Sequence, residues 1–237
     1  GGRGGRGAEG PHTGGTGELA VLDLFGGVAT GLAAAVDAGV RVHTYHLVEI
    51  DPTVRAMAAH HAGRLHAEGA AVPPAADMFA RGVDVELLAR EAETGQGEWA
   101  YDVVLASWPC QGLSRANPGG AGLEAGPSAL LRPALAVLAA VRRANPGARH
   151  LFENVHFETR FPAAWRAAEA ALGRAVIFDA ARVSCSHRVR AYWSSVELFP
   201  PGGAPRLDLA DCLAEARPRV AVTSDGTGGG RHPRDVA

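Results

Sequence analysis

Lysine is absent from this sequence: all 23 basic residues are arginine. Alongside heavy use of Ala, Gly and Pro, that bias fits a GC-rich coding sequence better than selection for bidentate contacts. Cysteine is nearly absent too. Cys110, Cys185 and Cys212 make three, an odd number without C-x-x-C spacing, so neither a disulfide framework nor a zinc cluster is encoded and a reducing compartment fits best. Although 47% of the residues are apolar, no run approaches the roughly 20 residues of a membrane span, and no charged-then-apolar leader opens the chain. A soluble, non-secreted protein without a membrane partner is expected. The net charge of -2 comes with no block of like charge. That excludes the broad basic face of a general nucleic-acid binder, so any DNA contact must be local. His60, His61 and His66 have no carboxylate or cysteine partner at ligand spacing, and no metal is expected.

What is present is the alternation of an α/β fold within 237 residues, a length suited to one domain of ordinary size. "LAVLDLF" reads as a strand, Gly26-Gly27 as a turn and Thr30 to Ala38 as a helix. "HTYHLVEID" reads as a second strand, and Pro52 after Asp51 opens a helix through His61. "YDVVLAS" is a third strand, "SALLRPALAVLAAVRRA" a long helix and "RHLFENV" a strand. "FPAAWRAAEAALG" is a helix ending at Gly173, followed by strands over "RAVIFDAARV" and "RVRAYWSSVEL". Strands alternating with helices predict a doubly wound, mostly parallel sheet. Residues 1–17, rich in Gly and Arg, cannot bury apolar surface and are expected to be a disordered leader. Residues 18–200 hold the folded pattern. After Pro200 the periodicity fades, and 201–237 reads as largely irregular.

In such a sheet the first strand, turn and helix usually cradle the ligand. "DLFGGVATG", Asp23 to Gly31, has glycines at 26, 27 and 31 that let backbone approach a ligand, while the helix N-terminus offers free N–H groups. Glu49 ends the second strand, where an acid can accept both hydroxyls of a ribose. The pair suggests a nucleotide-type cofactor, although the strict G-x-G-x-x-G spacing is not met. An ordinary solvated strand end is the alternative. "LASWPCQGLSRANPGG" raises the same choice for Cys110. Free cysteine is commonly buried filler, yet Cys110 follows a strand at the same sheet edge, behind Pro109 and before a glycine-rich loop. From its residues alone it stands evenly between core filler and a nucleophile held on a turn.

The joint pattern resembles the cytosine-5 DNA methyltransferases over about Glu18 to Leu198. "DLFGGVATG" is similar to the family's first motif, and "VEID" and Asp77-Met78 to the next two. "PCQ" looks like the nucleophile motif, "ENV" the acid motif and "RVR" the paired-arginine motif. Within the family, "LFGGVATGL", the loop "LSRANPGGAGLEAGPSALL", "LFENV" and "SHRVRAYW" look most like the eukaryotic de novo group. Gln111 and Trp108 depart from it. Trp108 stands where a small residue is usual and would either crowd the pocket or form an apolar wall.

The resemblance implies a Rossmann-like fold that binds S-adenosylmethionine and methylates cytosine in DNA. Phe25, Gly26, Val28 and Thr30 would line the methionine half; Glu49 would take the ribose. Ile50 would pack on adenine, Asp77 with Met78 would meet its polar edge, and Leu130 would close the pocket. Cys110 would be the nucleophile, Glu153 the acid, Asn154 the residue holding the turn, and Arg188 and Arg190 the positioners of base oxygen and phosphate. It also implies a nuclear protein if the host is eukaryotic, otherwise a cytoplasmic one, with possible pairing to itself or a related methyltransferase. In the family a target-recognition region and two last motifs follow. Here "LDLADCL" looks like the start of that region, and the chain stops at Ala237 before either motif, so this chain alone is expected to be weak or inactive. A catalytically silent partner of a complete methyltransferase and a transfer RNA cytosine methyltransferase are the alternatives.

Overall fold

The computed structural model describes residues 18–184 and 186–199. The leader at 1–17, Cys185, Cys212 and the rest of 200–237 lie outside the described residues. Strand β1, Glu18–Leu24, leads through the glycine turn into helix α1, Thr30–Asp37; β2 is Arg41–Val48 and α2 is Pro52–Ala67. Asp51 caps α2, accepting from the N–H groups of Thr53 (2.8 Å) and Val54 (3.1 Å), and Pro52 takes the first helical position, where its missing N–H costs nothing. The helix runs six residues past the expected His61, to Ala67.

Helix α3, Val85–Thr94, fills a stretch in which the sequence reading placed no element. Its signals are ordinary: Asp84 accepts from the Glu86 N–H, Gly95 ends it at φ 72°, and Val85, Leu88, Ala89 and Ala92 make one buried stripe. Next come β3, Val103–Ala106, α4, Leu131–Ala144, β4, Arg149–Val155, α5, Pro162–Leu172, β5, Ala175–Asp179, and β6, Val189–Ser194. The strand expected over Arg174 to Val183 is shorter. The Asp179 carboxylate accepts from the N–H groups of Ala181 (3.1 Å) and Arg188 (2.9 Å), and Ala180–Arg182 turns as a 3-10 helix.

The six strands form one sheet in the order β2-β1-β3-β4-β6-β5. β2, β1, β3 and β4 pair in parallel, while β6 runs antiparallel to both β4 and β5. The alternation of side chains splits each strand between two cores. Leu22, Leu24, Val104 and Ala106 face α3, α4 and α5; Val21 faces α1 and α2. Helices thus cover both faces, as the doubly wound reading required. The carboxyl ends of four parallel strands converge on one edge, and the reversed β6 brings its first residues to that same edge.

Candidate active site

The turn after β1 is built on unusual backbone. Phe25 (φ 58°), Gly27 (φ 56°) and Ala29 (φ 63°) all lie in the left-handed region, which costs non-glycine residues energy. Two backbone bonds fix it: the Phe25 N–H donates to the Val48 carbonyl (2.8 Å) and the Ala29 N–H to that of Gly26 (3.0 Å). A Cβ on Gly26 would lie 2.1 Å from Leu47 Cδ1 and 2.6 Å from Asp23 Cγ, so only glycine fits. Glu49 closes the turn from the end of β2, accepting from the N–H groups of Gly27 (3.3 Å) and Asp51 (3.0 Å). Beneath lies Asp23, buried and bonded to the Tyr45 hydroxyl. Burial pushes the Asp23 carboxyl up to about 6, the nearby Glu49 charge adding and the Tyr45 bond opposing. Tyr45 itself is raised, by burial and then by the Asp23 charge.

The turn after β3 is held by side chains from distant segments. Asn154, 1% exposed, donates from Nδ2 to the Trp108 carbonyl (2.8 Å). The Ser128 hydroxyl donates to the Pro109 carbonyl (2.8 Å) and accepts from the Gly112 N–H (2.8 Å). The Cys110 carbonyl accepts from the N–H groups of Leu113 (2.9 Å) and Ser114 (2.8 Å), which leaves the half-buried Cys110 side chain at the head of a tight turn. Trp108 contributes to the wall but is only 2% exposed, its ring packed 5.3 Å from Trp193 and 6.3 Å from Phe152 between centroids. Of the two roles open in the sequence, apolar wall fits this packing.

Adjacent strand residues point to opposite faces, and the pair Glu153-Asn154 uses both. Asn154 reaches the turn from the α3–α5 side, while Glu153 shares its face with Arg188 and Arg190. Glu153 Oε1 forms ion pairs with Arg190 Nε at 2.8 Å and Arg188 Nη2 at 3.8 Å. Burial, then the Glu153 charge, raises the neighbouring Tyr192 hydroxyl above its usual range.

These elements enclose a cavity of about 450 Å³, within the size range of small-molecule sites. Phe25, Glu49, Ile50 and Leu130 line it together with Cys110, Glu153, Asn154, Arg188 and Arg190. Gly26, Val28 and Thr30 belong to the adjoining turn and the start of α1 and do not line it. Asp77 and Met78, expected at the cofactor, do not line it. They sit on the 3-10 helix Ala75–Phe79, with Met78 fully buried in the core between β2 and α2 and Asp77 facing outward. The acidic step at the cavity is Asp84-Val85, flanked by Val83 and Glu86 at the head of α3. The sequence signal for it was the N-cap of the overlooked helix.

The half around Glu49 suits a cationic nucleoside. Ile50 is 70% exposed and offers a flat apolar surface on the wall, while Glu49, Asp84 and Glu86 supply acceptors and negative charge. The half around Cys110 offers a thiol, a carboxylate and two guanidinium groups, the constituents of nucleophilic catalysis with proton transfer. Among the described residues, no group of three or more His, Cys, Asp or Glu side chains could hold a metal ion, and no helix is long and apolar enough to cross a membrane.

No protein-family model matches the chain. Among solved structures it is similar to a prophage-encoded E. coli protein described as a DNA modification methyltransferase, at a TM-score of 0.52 and 20% identity, covering 82% of this chain and 54% of that one. It also matches the S. pombe Dnmt2 methyltransferase at 0.49 and 17% identity, covering 84% and 54%. A SAM-dependent methyltransferase from Agrobacterium tumefaciens matches at 0.45 and 17%, covering 76% and 57%. The chain therefore spans about half the length of these structures. The first likeness carries the fold: an α/β architecture of the methyltransferase type.

Proposed function

We propose that this chain transfers a methyl group from S-adenosylmethionine to carbon 5 of cytosine in DNA, through a covalent adduct with Cys110. The observation that carries the reading is the shared cavity, in which Cys110, Glu153 and the arginine pair face Glu49, Ile50 and Phe25. Its likeness to the eukaryotic de novo group, and hence a nuclear location and a role in epigenetic regulation, rests on the sequence segments alone. The catalytic domain is assigned to 18–200 and the start of a recognition region to 201–237.

The cofactor supplies an activated methyl group on its sulfonium. For this chain, Glu49 would hold the ribose hydroxyls, Ile50 would cover the adenine and Asp84, in place of Asp77 and Met78, would meet its polar edge. Phe25 and Leu130 would form the remaining walls, with the turn through Gly26, Val28 and Thr30 adjoining them. Carbon 5 of cytosine is a poor nucleophile. The Cys110 thiolate adds to carbon 6 and makes carbon 5 enamine-like, the thiolate being the competent form. Glu153 hydrogen-bonds the exocyclic amine and protonates ring nitrogen 3 as charge develops, held by Arg190 at 2.8 Å. Arg188, whose side chain is 58% exposed, reaches outward to base oxygen or phosphate with its planar fork. Carbon 5 then takes the methyl, its proton passes to a water molecule, and β-elimination frees Cys110 as ring nitrogen 3 returns its proton to Glu153. A stacked cytosine cannot enter such a cavity, so the base is flipped out of the duplex.

Trapping tests the proposal. A duplex containing 5-fluorocytosine, incubated with the chain and S-adenosylmethionine, should leave a covalent adduct that Cys110→Ser abolishes. An adduct that survives in Cys110→Ser would sink the mechanism. Failure of S-adenosylmethionine to bind by calorimetry favours the silent-partner reading, and adducts with transfer RNA but not DNA shift the substrate to RNA.

A further inference from the structure

Arg160 belongs to none of the motifs above. It lies in "HFETRFP", between the end of β4 and the start of α5, and does not line the cavity. Its guanidinium nevertheless collects three carbonyls of the loop that follows Cys110: Nη1 donates to Ser114, and Nη2 to Asn117 (2.7 Å) and Pro118 (2.8 Å). The group lies 4.9 Å over the Phe161 ring, which fixes its plane. Within the loop, Asn117 Nδ2 donates to the Gln111 carbonyl (2.8 Å) and the Gly122 N–H to that of Gly112 (3.0 Å). The loop is folded so closely that a Cβ on Gly120 would lie 2.3 Å from the Gly112 oxygen.

Three carbonyls converging on one planar cation is a geometry for arginine. An ammonium is a point charge and cannot present the same fork. Asn154 and Ser128 hold the carbonyls of Trp108 and Pro109 without any contribution from Arg160. The clamp therefore acts on the loop beyond Gln111, and the turn that carries Cys110 has its own support.

We propose that Arg160 is a positioning residue that fixes the loop 111–122 and thereby sets the affinity of the chain for the duplex it engages. The duplex half of this statement rests on the proposed function; the clamp does not. Arg160 acts through the shape of the loop and not as a phosphate contact, so its effect falls on the half-saturating duplex concentration and leaves the rate of adduct formation at saturation nearly unchanged.

The test compares Arg160→Ala and Arg160→Lys with the unaltered chain. Amide hydrogen exchange, measured without nucleic acid, should quicken at Ser114 to Asn117 in both variants and stay unchanged in β3 and β4. With a cytosine duplex both should raise the half-saturating concentration roughly tenfold, a scale set by the cost of misplacing a positioned element. The saturated adduct rate should hold within about twofold, and the salt slope of binding should be that of the unaltered chain, because no phosphate contact is lost. Unchanged exchange at Ser114 to Asn117, or exchange raised equally throughout the chain, overturns the clamp. Full affinity in Arg160→Lys, or a salt slope lowered by about one, overturns the positioning role in favour of a phosphate contact. If the unaltered chain forms no adduct and binds no duplex, the methyltransferase reading and the duplex half of this proposal fall together, while the exchange result still decides the clamp.

Discussion

The two turns at the carboxyl edge of the sheet are held in opposite ways. The turn after β1 is fixed mainly by its own backbone: residues at positive φ, a glycine with no room for a Cβ and the Ala29 to Gly26 bond, with the end of β2 adding the Val48 carbonyl and the Glu49 side chain. The turn after β3 is fixed from outside, by Ser128 and Asn154, 19 and 46 positions from the carbonyls they hold, while Arg160 holds the loop beyond it. A turn of the first kind is specified by its own residues and fails when one is enlarged. A turn of the second kind forms only once the rest of the domain has folded around it, and is broken from a distance.

The largest expected effect breaks the first turn. Gly26→Ala, with its Cβ 2.1 Å from Leu47 Cδ1, should cost roughly 3 kcal/mol of stability as overpacking, read from urea midpoints at constant m. Next is Asp23→Asn, which separates the turn's shape from its charge. Asp23 is raised from 3.8 to about 6 on folding, so its contribution to stability is fully present below pH 3.8 and lost as pH rises through about 6. Asn does not titrate, and the variant should therefore gain on the parent between those values by roughly 3 kcal/mol and keep that gain at neutral pH. A flat difference across the window would show that Asp23 folds without a raised carboxyl. The smallest effect tests the second turn. Asn154→Ala leaves the Trp108 carbonyl without its partner and should cost roughly 1.5 kcal/mol, with quicker exchange of the amides of Leu113 and Ser114 and none of the pH dependence seen at Asp23.

The same contrast explains what the sequence disclosed. The glycine turn, the strand-end Glu49 and the alternation of strands and helices follow from local pattern, because each signal lies within a few residues of the element it marks; the strand order does not. Cys110 alone was undecided; its neighbours in space, Glu153 and Arg190, arrive from β4 and β6, and only the ordered motifs linked them. Asp77-Met78 rests on its likeness to a motif only two residues long, and an acidic residue beside an apolar one is a short pattern that recurs by chance. Asp84-Val85 has the same pattern but opens a helix, and the capping position of Asp84 with Gly95 at the far end distinguishes them. Arg160 carried no local signal: a guanidinium that clasps backbone carbonyls 42 to 46 residues away leaves its partners' side chains free to be anything.

Of the chain's four tryptophans, three stand together behind the Cys110 turn. Trp193 lies 5.3 Å from Trp108 and 5.1 Å from Trp165 between ring centroids, and neither Trp108 Nε1 nor Trp193 Nε1 has a hydrogen-bond partner among the described residues. Indoles this close couple their electronic transitions, and buried N–H groups without acceptors emit toward the blue. Trp99, under the Arg81 guanidinium at 4.8 Å, lies apart from them. The protein thus carries its own chromophore at the edge of the cavity: a shift of the Trp108 backbone is a shift in the coupling of that triad, visible in ultraviolet circular dichroism and emission without any label.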